Sequence, residues 1–318
     1  MRATAAPEGP TGRLLRAHPA IRFAVRYLSV PGIIAATGVT FHVTGRSAQA
    51  FEQAAGLPPG SIPFVAAAVV LALGLVLIEA IFPFEAFVET EHQRSTDVAF
   101  NVGTAVVLLA GHGLVVWVPT PLLDGSGLNR AVQFVIAWAG HDLLLYGWHR
   151  LLHESGSRAL WRLHAWHHEP RRFTFMAGGR THLLEIAVTV LALAATRLVL
   201  GVSADVMLWV VLCPVVSGAV HHTNVDFRLG PLNFLFPGPE MHRAHHDRDP
   251  AAALNYATSF PLWDVLFGTA RPLRAGGETD YGMHGRDDRR TTWRQVHGVT
   301  PPAAHRAPAP QALSEPDI

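Results

Sequence analysis

AVQFVIAWAGHDLLLYGWHRLLH, residues 131–153, is an apolar run interrupted by the doublet His141-Asp142 and ending in two histidines four positions apart. Read as one helix, the stretch from Ala131 to Trp148 suits a bilayer, and its continuation puts His149 and His153 on one face just past the membrane surface. Two further groups follow, HAWHH at 164–168 and HRAHH at 242–246. Each is an i, i+3, i+4 set, so His164, His167 and His168, and likewise His242, His245 and His246, project from little more than one helical turn. Imidazole is the commonest metal ligand among side chains. Eight candidates exceed the four that one tetrahedral ion takes, so the pattern points to two metals. One i,i+4 histidine pair arises by chance in many helices, whereas two identical His-x-x-His-His sets beside a His-x-x-x-His are specific. The sole cysteine, Cys213, sits in an apolar run far from all three groups, which argues against a cysteine-based zinc module and excludes a disulfide within one chain.

The rest of the chain reads as membrane protein. Of 318 residues 49% are hydrophobic and 15% charged, where a soluble domain carries about 25% charged. The net charge of +1, with every formal cation an arginine, gives no electrostatic case for nucleic acid. Tyr27–Val43, Ile62–Ile78 and Val98–Val118 lack formal charge and approach the ~20 residues a membrane helix needs. With 131–148 and the short pair Ile186–Leu200 and Val206–Val220, they predict an all-α bundle of four to six membrane helices carrying a cytosolic helical histidine-rich cap. Whether the short pair spans or re-enters, the chain returns to the side it left, so all three histidine groups meet at one membrane face. Arginines before the first run (Arg13, Arg16, Arg22, Arg26) and around the first two groups (Arg150, Arg158, Arg162, Arg171, Arg172, Arg180) place the termini and metal site in the cytoplasm. Residues 1–19 read as a flexible arm, 20–270 as the membrane-embedded domain with its histidine motifs in 141–269, and 271–318 as a polar, proline-rich tail. The Pro-Gly cluster GPLNFLFPGPE at 230–240 breaks helix ahead of the third group.

Order, spacing and flanking residues from Asp142 to Thr269 resemble the fatty acid hydroxylase and sterol desaturase superfamily of integral membrane non-haem diiron enzymes. The resemblance rests on DLLLYGWHRLLH (142–153), LWRLHAWHH (160–168), RTHLLE (180–185), HTN (222–224), MHRAHH (241–246), NY (255–256) and LWDVLFGT (262–269). It implies His222 as a ninth ligand and His182 as a tenth, although Leu-Leu-Glu follows His182 where the family often has proline. His141 and His221 are spare imidazoles in their doublets. Ligating imidazoles usually donate their second ring N–H to a carboxylate or carbonyl, and Asp142, Glu185, Asn224 and Asn255 are the candidates to orient them, with helix capping or water binding as the ordinary alternative for each. Trp148, Trp161, Trp166 and Trp263 read as interfacial anchors or packing around the site.

Nitrogen ligands alone do not distinguish iron from zinc, copper or nickel. The resemblance implies two iron ions that use O2 as co-substrate, with no catalytic group separate from the ligands. No flavin, haem or iron-sulfur motif is visible, so two electrons come from an external donor such as a ferredoxin, a cytochrome b5-like protein or a reductase. A site at the membrane face implies a lipid substrate held in the bilayer, fatty acyl, alkyl or sterol-like, and a bacterial inner membrane is the expected location. Hydroxylation is preferred, a desaturase on the same centre is the alternative, and a metal transporter is a more distant one.

Overall fold

The computed structural model describes residues 18–271, apart from 58–59, 85–90, 117–120, 171–172, 235 and 248–253. The proposed arm and tail fall almost wholly outside the described residues. Ten α-helices are described: α1 Pro19–Tyr27, α2 Ser29–Ala54, α3 Ser61–Ile81, α4 Glu91–Val116, α5 Arg130–Glu154, α6 Arg158–His168, α7 Leu183–Leu200, α8 Ala204–His221, α9 Pro239–His245 and α10 Leu262–Leu266. Short 3-10 turns at Phe175–Gly179 and Gly230–Phe234 precede α7 and α9. The all-helical reading holds, with two differences at the N-terminus. Helix begins at Pro19, inside the expected arm, and this first helix, Pro19–Tyr27, meets the helix that carries the first apolar run at a 44° bend.

By length and composition α3, α7 and α8 can cross a membrane, and the α1–α2 pair makes a fourth if it is one span. Counted as one span, that pair brings the described helices to four, the lower end of the expected four to six. α5 falls short of that test because it carries His141, Asp142 and the histidine pair. Side chains from α2, α3, α4, α5, α7 and α8 meet in one buried cluster, including Phe41, Phe64, Val115, Trp138, Leu193 and Met207. Outside it, Val65, Val69, Leu73 and Leu77 recur every four residues along α3 and are 45–59% exposed, a stripe that needs lipid, not water, as its neighbour. Helices in lipid associate by close packing more than by hydrophobic burial. Gly111 allows this between α4 and α7, since a Cβ there would lie 2.5 Å from a methyl of Val190.

One face of α5 organises the end of the molecule that matters. Asn129 caps the helix through Oδ1 on the Ala131 N–H at 2.9 Å. Trp138, Asp142 and Tyr146 then follow at four-residue steps and pin the chain segment after α9. Trp138 Nε1 donates to Ser259 Oγ at 2.8 Å, and Asp142 accepts from Ser259 N (2.6 Å), Ser259 Oγ (2.8 Å) and Phe260 N (3.2 Å). Tyr146 bonds Thr269 Oγ1 at 2.9 Å. One and two turns beyond Tyr146 stand His149 and His153.

Candidate metal centre

Both the α5 C-terminus and the α8 C-terminus deliver histidines, so these helices point the same way and the groups meet at one end of the bundle. Ser155, Gly156 and Ser157 turn the chain from α5 into α6, with Gly156 at φ 67° and Ser157 Oγ capping α6 on the Leu160 N–H at 3.4 Å. The result is two sets of imidazoles. His149, His153, His164, His168 and His245 form one; His167, His222, His242 and His246 form the other. Within each set the donor atoms lie within 4.8 Å of one another.

The two His-x-x-His-His motifs interlock the sets. In each motif the outer i,i+4 pair serves one set and the middle residue serves the other. α6 gives His164 and His168 to the five-histidine set and His167 to the four-histidine set, while α9 gives His245 to the first and His242 and His246 to the second. The sets touch where His168 stacks on His246, with ring centroids 4.2 Å apart.

Hydrogen bonds fix the ring tautomers, and the tautomers test the fit to metal. His149 Nδ1 faces the Tyr256 carbonyl at 2.7 Å and His164 Nδ1 faces Glu185 Oε2 at 3.0 Å. An acceptor at each requires the proton on Nδ1, which leaves both Nε2 atoms as lone pairs. Yet those two Nε2 atoms lie 3.0 Å apart, a repulsive approach unless a cation sits against both. His222 repeats the pattern. Its Nδ1 faces the Gly218 carbonyl at 3.0 Å, and its Nε2 faces His242 Nε2 at 3.1 Å, which in turn faces His246 Nε2 at 2.9 Å. His245 donates from Nδ1 to the Leu254 carbonyl at 2.9 Å. The buried Nε2 atoms of His153, His168 and His245 have no hydrogen-bond partner. Metal–nitrogen bonds of ~2.0–2.1 Å put neighbouring ligands roughly 3–4 Å apart, so the residues present fit two ions.

Burial keeps these rings neutral. Loss of water, reinforced by neighbouring imidazoles, pulls His167, His168, His242 and His246 well below the usual histidine range. Burial takes His245 down to about 3 and His222 to about 4. Neutral imidazole is the form that binds metal.

His182 lies in neither set. It is the N-cap of α7, its Nδ1 accepting from the Leu184 N–H at 3.2 Å, because the chain enters the helix here in extended conformation. Of the four orienting candidates, Glu185 meets an imidazole, that of His164. Asp142 spends both oxygens on Ser259 and Phe260. Asn224 offers its N–H to Glu79 Oε1 at 2.7 Å and its carbonyl to the Phe84 N–H at 2.8 Å. Asn255 donates from Nδ2 to the Met241 carbonyl at 3.2 Å. His141 and His221 are buried in neither set, though the His221 ring is 4.9 Å from His242. Trp161 packs on His153 and His168, as expected of site packing.

Sequence reasoning missed the backbone acceptors Tyr256, Leu254 and Gly218, which have no residue-type signal. It also missed the role of Asp264 in LWDVLFGT, whose carboxylate accepts from Tyr256 N (2.7 Å), Ala257 N (2.9 Å) and Thr269 Oγ1 (2.7 Å). Behind the four-histidine set, Glu79 Oε1 also accepts from the Phe175 N–H at 2.8 Å, and Phe173 stacks on His222 at 5.1 Å. Gly178 is a point of closest approach, where a Cβ would meet the Gly218 carbonyl oxygen at 2.6 Å and His222 Nδ1 at 2.9 Å.

Comparison with known proteins agrees with this geometry. Residues 134–269, which hold all nine clustered histidines, match the fatty acid hydroxylase family model. The chain is 34% identical over 157 residues to an ornithine lipid hydroxylase of Rhizobium tropici, covering 49% of this chain and 47% of the relative. It is 29% identical to an alkylglycerol monooxygenase of Caenorhabditis elegans (45% and 28% covered) and 30% identical to that of Danio rerio (45% and 32% covered). The chain thus spans about half the length of the first relative and a third or less of the others. No solved structure matches it.

Proposed function

We propose that this chain, a member of the fatty acid hydroxylase superfamily, is a membrane-bound oxygenase that hydroxylates an unactivated C–H bond of a lipid. The observation that carries the reading is the pair of adjacent all-imidazole sets whose Nε2 lone pairs converge. The nine clustered histidines are the ligands of two irons, and His182 is not among them. When bound, two irons supply the activation of dioxygen that side chains cannot provide.

The chain's own residues prepare that chemistry. Glu185 and the carbonyls of Tyr256, Leu254 and Gly218 hold Nδ1–H, so that each partner ring presents Nε2 inward. Burial keeps the rings neutral, and the apolar stripes on the helices keep the protein in lipid, so substrate reaches the site from the bilayer. The relatives' names, ornithine lipid hydroxylase and alkylglycerol monooxygenase, favour hydroxylation of a lipid over desaturation. A transporter would string its ligands along the middle of the membrane helices, whereas these gather at one end. The arginine distribution favours the cytoplasmic face of a bacterial inner membrane, where a soluble or membrane-bound carrier delivers two electrons.

Metal analysis of anaerobically purified protein with Mössbauer spectroscopy tests the reading. Two coupled irons per chain are expected, together with a lipid bearing one added oxygen in cells expressing the chain and its absence in cells expressing His245→Ala. Zinc alone in the purified protein, with no oxygenated lipid, would sink it.

A further inference from the structure

Asn255 is the one residue other than glycine with positive φ among the described residues, at 66°. It is 4% exposed, and it stands between the two carbonyls that hold imidazoles of the five-histidine set. Leu254 O accepts from His245, carried by α9, and Tyr256 O accepts from His149, carried by α5. The two receiving rings have centroids 4.6 Å apart. In an extended chain the carbonyls of alternate residues stand about 6.6 Å apart and parallel. A single left-handed residue between them turns the segment so that both oxygens reach rings from different helices.

Resting on the reading of the five histidines as metal ligands, we propose that Asn255 is a positioning residue that acts through its backbone conformation, aiming its two neighbouring carbonyls at His149 and His245. Asparagine tolerates the left-handed region better than other residues with a Cβ. Its surroundings hold it there. The Asn255 N–H donates to Thr269 O at 3.0 Å, and Oδ1 accepts from the Arg271 N–H at 2.7 Å. Nδ2 donates to Met241 O, and Asp264 fixes the next two N–H groups. Side-chain bonds stabilise the turn, and the turn serves the metal. Both carbonyls, at 254 and 256, serve rings of the five-histidine set.

The proposal separates the effect of φ from the effect of the amide. Asn255→Gly keeps easy access to positive φ and removes both side-chain bonds; Asn255→Ala and Asn255→Val disfavour positive φ to increasing degrees. Iron binding is read by chelator competition on the purified, detergent-solubilised full chain, with Mössbauer spectra of each variant. Wild type is expected to release its iron in two phases. Asn255→Ala should weaken one phase about 10- to 100-fold, the scale for losing support of a ligand, and change one iron's quadrupole splitting, while Asn255→Gly keeps both phases near wild type. If Asn255→Val does not fold, the Gly and Ala variants decide alone. The proposal is overturned if Gly weakens binding as much as Ala, or if Ala leaves both phases and the spectrum unchanged. A wild type that binds no iron would instead overturn the metal reading on which the proposal rests.

Discussion

The two histidine sets differ in how far apart in sequence their members lie. Four of the five rings in the first set, His149, His153, His164 and His168, come from one helix–turn–helix of twenty residues, and only His245 is distant. The second set draws His167 from α6, His222 from the end of α8 and His242 and His246 from α9, so it exists only once the bundle has closed. Their supports differ in kind as well. The first leans on a carboxylate and on the pinned segment at 254–257, the second on the α8 backbone and the 3-10 turn at 175–179. Local helical geometry nearly completes one histidine set, and tertiary packing makes the other.

The largest effect should come from adjacent residues that belong to different sets. On the proposed function, His168→Ala and His167→Ala are each expected to abolish lipid oxidation, by more than about 100-fold, since loss of mere outer support already costs about 10- to 100-fold in affinity or activity. The two should differ in the iron they lose, His168→Ala the five-histidine site and His167→Ala the other, distinguishable by Mössbauer spectroscopy. Identical residual spectra from both variants would break the division drawn above.

Glu185→Gln comes next. Its Oε2 is 3.0 Å from His164 Nδ1 in a pair that is nearly fully buried, and the amide loses the carboxylate's pull on that ring. Iron affinity of the first site is expected to fall about 10- to 100-fold, with the second site unchanged in chelator competition.

How much of this the sequence disclosed follows the same division. The helix over 131–153 and the spacing within HRLLH and HAWHH are short-range facts, and they anticipate most of the first set. His222 sits in a doublet with His221, outside the three spaced groups, and its candidacy rests on family resemblance, not spacing. Which histidine of a His-x-x-His-His goes to which set is invisible until α6 and α9 face each other. His182 and Asp142 misled for a related reason: a ligand-type residue beside a helix end also makes a good cap or brace. His182 caps α7, and Asp142 pins Ser259 and Phe260. The helix Pro19–Tyr27 ahead of the first apolar run was likewise hidden, because its arginines read as polar sequence preceding that run.

Gly178→Ala should act on the second set alone. The added methyl must displace either the Gly218 carbonyl or His222 Nδ1, which bond each other. Overpacking of this kind costs roughly 1–3 kcal/mol, and the expected outcome is about tenfold weaker iron binding at the four-histidine site with the five-histidine site intact. Equal weakening of both would show that the 3-10 turn supports the whole cluster.

The smallest effect tests what the sets share. α6 supplies ligands to both, so a change that loosens it as a body should not discriminate between them. Ser157 Oγ caps α6 with one long bond to the Leu160 N–H, and Ser157→Ala typically removes about 1 kcal/mol of helix stability. His164, His167 and His168 sit in the last two turns of this eleven-residue helix, far enough from the cap to keep their own geometry yet bound to its rigid-body position. Both competition phases should therefore shift together by a few-fold, each by the same factor. A shift confined to one phase would mean that α6 is held independently at its C-terminal end by the rings themselves, and that the two sites are separate constructions on a common helix.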